Sequence, residues 1–139
     1  MKTSARNQFS GKVNSVKKGA VNSEIVIDLK GKDQITAVIT NESVENLGLK
    51  KGSKAYGLIK ASWVVLADDP KLKTSARNRF TGKIEKLTEG TVNTEVVMKL
   101  PGGNQLVSMI TNESAKSMGL KKGKNLLAMF KASSVIVGV

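Results

Sequence analysis

Val21-Asn22-Ser23-Glu24-Ile25-Val26-Ile27-Asp28-Leu29 puts Val21, Ser23, Ile25, Ile27 and Leu29 on one side of an extended chain. Asn22, Glu24, Val26 and Asp28 take the other side. Alternation of period two marks a strand with one buried face. The neighbouring segments extend the pattern. Lys30-Gly31-Lys32-Asp33 supplies a turn, Gln34 to Ile39 returns as a strand, and Phe9 to Val16 forms a strand upstream. Residues 41–47 read as one short helix, with Thr40 or Asn41 as its N-cap and Gly48 as its stop. Lys50-Lys51-Gly52 turns the chain into two last strands, Ala55 to Lys60 and Ser62 to Ala67. The expectation is a mainly β unit, a small OB-like five-stranded barrel with one short helix.

That unit is written twice. A shift of 71 residues lays 2–68 on 73–139 without a gap, and 31 of the 67 positions are identical. The identities fall in blocks. Lys2-Thr3-Ser4-Ala5-Arg6-Asn7 returns as Lys73-Thr74-Ser75-Ala76-Arg77-Asn78, and Thr40-Asn41-Glu42-Ser43 as Thr111-Asn112-Glu113-Ser114. Gly48-Leu49-Lys50-Lys51-Gly52 returns as 119–123, and Lys60-Ala61-Ser62 as Lys131-Ala132-Ser133. Two copies are too few for a solenoid, so the reading is two tandem domains, 1–69 and 72–139. They are joined by the polar stretch Asp68-Asp69-Pro70-Lys71-Leu72. A unit this small buries little of its surface, so stability is expected to come from contacts between domains and from a homo-oligomer.

Composition removes whole classes of function. The chain has neither Cys nor His, which excludes an ordinary zinc site, a Ser-His-Asp triad and a thiol nucleophile. No Gly-x-x-x-x-Gly-Lys-Ser/Thr loop occurs. A catalytic role would have to rest on Lys, Ser, Asp or Glu alone, so a non-enzymatic role is expected. Apolar runs reach about five residues, against roughly 20 needed to cross a bilayer. The first residues lack the apolar core of a secretory leader, so a cytoplasmic location without membrane contact is expected. The formal net charge is +12, which points to an anionic partner.

The repeated blocks are rich in hydrogen-bond donors. Each copy offers Ser4 and Arg6, then Thr40 and Ser43, then Lys60 and Ser62, with the second set at Ser75, Arg77, Thr111, Ser114, Lys131 and Ser133. A fully deprotonated tetrahedral oxyanion only accepts hydrogen bonds, so converging donors with positive charge suit it. Thr40 and Ser43 straddle a helix start, where free amides favour an anion. The plainer reading makes Thr40 a cap and Ser43 a surface residue. Lys50-Lys51 is best read as a solvated turn. Glu42 and Glu113 would repel an anion and are expected to point away. Gly19-Ala20-Val21-Asn22 and Gly90-Thr91-Val92-Asn93 are read as glycine turns entering strands, or alternatively as concave amide nests for an anion.

The ordered blocks Thr-Ser-Ala-Arg-Asn, Thr-x-x-Ser and Lys-Ala-Ser, present in both copies, resemble the molybdate-binding Mop domain of molbindins and of molybdate-responsive regulators. The resemblance covers nearly the whole chain and is most similar to a two-domain molbindin. It implies OB-like barrels assembled as a trimer of chains. It further implies binding of molybdate or tungstate between domains, for storage, buffering or homeostasis. By position, Ser4, Arg6, Lys60, Ala61 and Ser62 of one domain would act with Thr40 and Ser43 of an adjacent one. In the second copy the set is Ser75, Arg77, Lys131, Ala132, Ser133, Thr111 and Ser114. A second kind of site would use Gly19 to Asn22 and Gly90 to Asn93. Two local departures lie directly beside the repeated blocks: Gln8 against Arg79, and Trp63 against Ser134.

The alternative is an OB-type nucleic-acid binder. Such proteins stack bases on exposed aromatics. Phe9, Tyr56, Trp63, Phe80 and Phe130 all fall in predicted strands, where core packing is expected instead.

Overall fold

The computed structural model describes all of residues 1–139. The first copy runs β1 (Asn7–Lys18), β2 (Asn22–Asp28), β3 (Gln34–Thr40), α1 (Asn41–Asn46), β4 (Lys54–Ile59) and β5 (Val65–Ala67). The second repeats it as β6 (Asn78–Glu89), β7 (Asn93–Lys99), β8 (Gln105–Thr111), α2 (Asn112–Ser117), β9 (Asn125–Phe130) and β10 (Ile136–Gly138). The expected alternation holds from Ser23 to Leu29, with Ser23, Ile25, Ile27 and Leu29 buried and Glu24, Val26 and Asp28 half-buried, but it fails at Val21, which lies before β2 in the turn and is exposed. Gly48 ends α1 at φ 61°, the left-handed conformation that glycine takes at a helix stop.

Each sheet has five antiparallel strands, but neither is built from one copy. Their orders are β10-β4-β1-β2-β3 and β5-β9-β6-β7-β8. The last strand of each copy thus completes the sheet of the other, with Val137 opposite Gly57 and Leu66 opposite Ala128. The expected strand from Ser62 to Ala67 divides into a 3-10 turn at Ala61–Trp63 and the short β5. That turn carries the chain across to the neighbouring sheet, and Ala132–Ser134 does the same in reverse. The edges β10 and β3 of the first sheet come side by side.

One apolar cluster joins the two copies. It holds 22 buried residues, among them Ile25, Ile27, Ile35 and Ile59 from the first copy and Ile84, Met98, Leu106 and Phe130 from the second. Val64, Leu66, Val135 and Val137 enter it from the exchanged segments. The β2–β3 and β7–β8 turns also meet. Gly31 has φ 68°, and a Cβ there would collide with the backbone of Gly102. Asp33, buried, accepts from the Gly102 amide at 3.1 Å and from Asn104 Nδ2 at 2.8 Å.

Candidate functional site

The helix starts set the first part of the site. Thr40 Oγ1 accepts the Ser43 amide at 3.1 Å, so Thr40, not Asn41, is the cap. The Thr40 hydroxyl donates to Ser43 Oγ at 2.8 Å, which leaves the Ser43 proton free to point outward. Thr111 and Ser114 repeat this at 3.1 and 2.9 Å. Each pair therefore offers a ligand one hydroxyl donor rather than two.

Asn41 does a different job, one that sequence reasoning missed. Its amide donates to the Val21 carbonyl at 2.8 Å, its Nδ2 to the Gly19 carbonyl at 2.9 Å, and its Oδ1 accepts from Ser23 at 2.6 Å. The Gly19 to Asn22 turn is thus strapped to the start of α1. The Gly19 amide donates to the Asn22 carbonyl at 2.8 Å, as Gly90 does to Asn93. Those two amides are consumed within their turns, which narrows the nest reading to the amides of residues 20 to 22, and of 91 to 93. Val21 and Val92 are exposed.

The arginines of the repeated block reach into the opposite copy. Arg6 lies 2.7 Å from Glu95, and Arg77 grips Glu24 with two bonds of 2.8 and 2.9 Å. The Arg77 hydrogen bonds hold the Glu24 carboxyl below its ordinary value against a smaller opposing effect of burial, and the Arg77 and Lys17 charges add to the lowering. The guanidinium of Arg77 is raised in turn, first by those bonds and then by the Glu24 charge. Glu24 and Glu95 occupy the same outward position of the repeat, the one signal that sequence offered for them.

The Lys-Ala-Ser blocks sit on the 3-10 turns. Ala61 and Ala132 are buried and act as pivots within the fold. Pairing of Asn7 with Ile59 places Arg6 across from Lys60 one step beyond, and Asn78 with Phe130 does the same for Arg77 and Lys131. Ser62 shares a cavity of about 360 Å³ with Asn93, Thr111 and Ser114 of the other copy. Ser75 and Lys131 share another of about 380 Å³ with Trp63. Three larger cavities, about 410, 510 and 590 Å³, hold none of the candidate donors, so size does not locate the chemistry here.

Trp63 departs from expectation. It lies on the 3-10 turn rather than in a strand, is 39% exposed, and its ring centre is 5.8 Å from Lys60 Nζ. Phe9 and Phe130 are buried as expected. Tyr56 and Phe80 are half-buried, and Phe80 stacks on Phe130 with ring centres 6.0 Å apart. No group of three or more acidic side chains is placed to hold a metal ion, and no helix is long and apolar enough to cross a membrane.

A family model for the TOBE domain matches residues 3–66 and again 74–137. The chain belongs to the TOBE-domain family. Both matches end inside the exchanged strands, so each TOBE repeat in sequence contributes to two sheets in space. As a tandem TOBE chain it is 45% identical, over its full length, to the molybdenum transport protein ModE of Azotobacter vinelandii, of which it covers 52%. It is 42% identical to the molybdenum-pterin-binding protein MopA of Rhodobacter capsulatus, again over all of this chain and 53% of that one. The chain spans about half the length of these relatives. A solved structure of the cytoplasmic molybdate-binding protein ModG, in a form with molybdate bound, matches at TM-score 0.95 and 45% identity. That match covers 100% of this TOBE pair and 99% of ModG. The TOBE pair is a molbindin-type tandem Mop protein.

Proposed function

We propose that this TOBE pair binds molybdate, and tungstate with it, as an intracellular store or buffer, without catalysing a reaction on it. The observation that carries the reading is the meeting of Ser62 with Thr111 and Ser114 at one cavity. A Lys-Ala-Ser turn of one copy faces a Thr-x-x-Ser pair of the other, so hydroxyl donors from two domains converge. Lysine and arginine at the same strand ends offset the dianion's charge, and fixed hydroxyl and ammonium donors replace its water. The match to ModG over the whole chain supports the same ligand and a cytoplasmic setting.

The main sites comprise Ser4, Arg6, Lys60, Ala61 and Ser62 with a Thr-x-x-Ser pair from an adjacent domain, and the corresponding residues from Ser75 to Ser133. A trimer of chains would bring further turns and helix starts together. The exposed Val21 and Val92 turns, the best candidates for the second kind of site, would then be covered.

Calorimetric titration with molybdate, tungstate, sulfate and phosphate, beside a DNA-binding assay at two salt concentrations, tests the proposal. It predicts saturable heat with the group 6 oxyanions. Affinity for DNA that falls steeply with salt, with no response to small oxyanions, would replace it with the nucleic-acid reading.

A further inference from the structure

Trp63 is the only tryptophan of the chain, and its counterpart in the repeat is Ser134. The strand exchange gives this single replacement two consequences. On its own side, the ring stands 5.8 Å from Lys60 Nζ, a cation–π contact that holds the ammonium. On the other side, the ring walls the cavity that contains Ser75 and Lys131, together with Val65 and Met129. Lys131 has only Ser134 where Lys60 has the indole.

We propose that Trp63 makes the two copies' oxyanion sites unequal, the Lys131 set binding more tightly than the Lys60 set. Lys60 must leave the ring to reach an anion, so the contact opposes binding there. The same ring forms one wall of the cavity beside the exposed Lys131, so an anion seated there gives up part of its water and pairs more strongly with the ammonium. Excluding water also costs most for the smallest and most strongly hydrated anions. The Lys131 set therefore discriminates more sharply against sulfate and phosphate. The inference rests on the molybdate-binding reading of these sites.

Calorimetric titration of the full chain with sodium molybdate tests it, with Lys60→Ala and Lys131→Ala assigning the sites. The native chain should show two classes about two- to fivefold apart, the worth of an exposed cation–π contact expressed as an affinity ratio. Lys131→Ala should remove the tighter class and Lys60→Ala the weaker. Trp63→Ser should merge the two classes, and Ser134→Trp should draw them together by tightening the weaker and loosening the tighter. Trp63→Phe, which keeps an apolar wall, should retain part of the difference and serves if the serine variant fails to fold. Classes that keep their native separation in Trp63→Ser, or a native chain with a single class, would overturn the inference while leaving molybdate binding intact. A native chain giving no heat with molybdate would overturn both.

Discussion

Asn7 and Val107, 100 residues apart, exchange two hydrogen bonds of 2.8 Å each, Asn7 Nδ2 donating to the Val107 carbonyl and the Val107 amide to Asn7 Oδ1. The side chain of Asn7 thereby behaves as one more strand residue along the free edge of β8. Asn78 does the same to Thr36 on β3, at 2.8 and 2.8 Å. Both asparagines are 2% exposed.

Asn7→Ala should therefore cost about 1–3 kcal/mol, because it leaves a donor and an acceptor of β8 unpaired beneath the protein surface. Chemical denaturation of the variant measures this. Asn7→Asp keeps the acceptor and loses the donor, and should also be destabilised. A loss below half the lower bound for Asn7→Ala would mean that water replaces the pair and that the edge is not truly closed.

The strand exchange predicts where damage travels. Val137 lies near the end of the chain in the second copy's sequence, yet it is buried in the first sheet opposite Gly57. Val137→Asp should speed amide exchange first at Tyr56 to Leu58, with Leu127 to Met129 less affected. Hydrogen exchange read by mass spectrometry separates the two. The reverse order would place β10 in its own copy's sheet.

Much of this fold was legible in the residues, and the part that was not has a physical cause. Alternation in Ser23 to Leu29, a cap at Thr40 or Asn41 and the Gly48 stop all depend on local geometry, which sequence spacing reports directly. The destination of β5 does not. Val65-Leu66-Ala67 presents the same pattern to β4 as to β9, since the repeat gives both sheets equivalent edges. Only the 3-10 turn at Ala61 decides between them. The site divides in the same way. The candidate donors come from the repeated blocks, whereas Glu24 and Glu95 as partners of the arginines were not readable there. Those contacts join different copies.

Acid should weaken the inter-copy pairing through Glu24. Its carboxyl is held below the ordinary value in the fold, chiefly by the hydrogen bonds from Arg77. A carboxyl lowered on folding stabilises the protein above its unfolded pKa, and that stabilisation is lost as pH falls through the folded value. Between the usual glutamate range near pH 4.3 and the lower folded value, native stability should fall with a slope that Glu24→Gln flattens. Denaturation at a series of pH values checks this. An unchanged slope in the variant would show that the Arg77 pair carries no pH-dependent stability.

Donors proposed to hold the anion should matter for binding more than for folding. Lys60→Ala and Lys131→Ala should each weaken molybdate at their own site by roughly tenfold or more, as expected for a charge-assisted bond of about 1.5–3 kcal/mol, with little change in thermal unfolding. Arg6→Ala should do the same, though it also frees Glu95. Equal molybdate affinity in all three variants would dissociate these residues from the site.

The central claim is that a turn from one domain and a helix start from another close on the same oxyanion. Anomalous diffraction at the molybdenum absorption edge, from crystals grown with molybdate, locates the metal directly. The account predicts peaks in contact with a Lys-Ala-Ser turn such as Lys60 to Ser62 and with a Thr-x-x-Ser pair such as Thr111 and Ser114, contributed by different domains. Peaks whose neighbours all belong to one domain, or none near these donors at saturating molybdate, would contradict it.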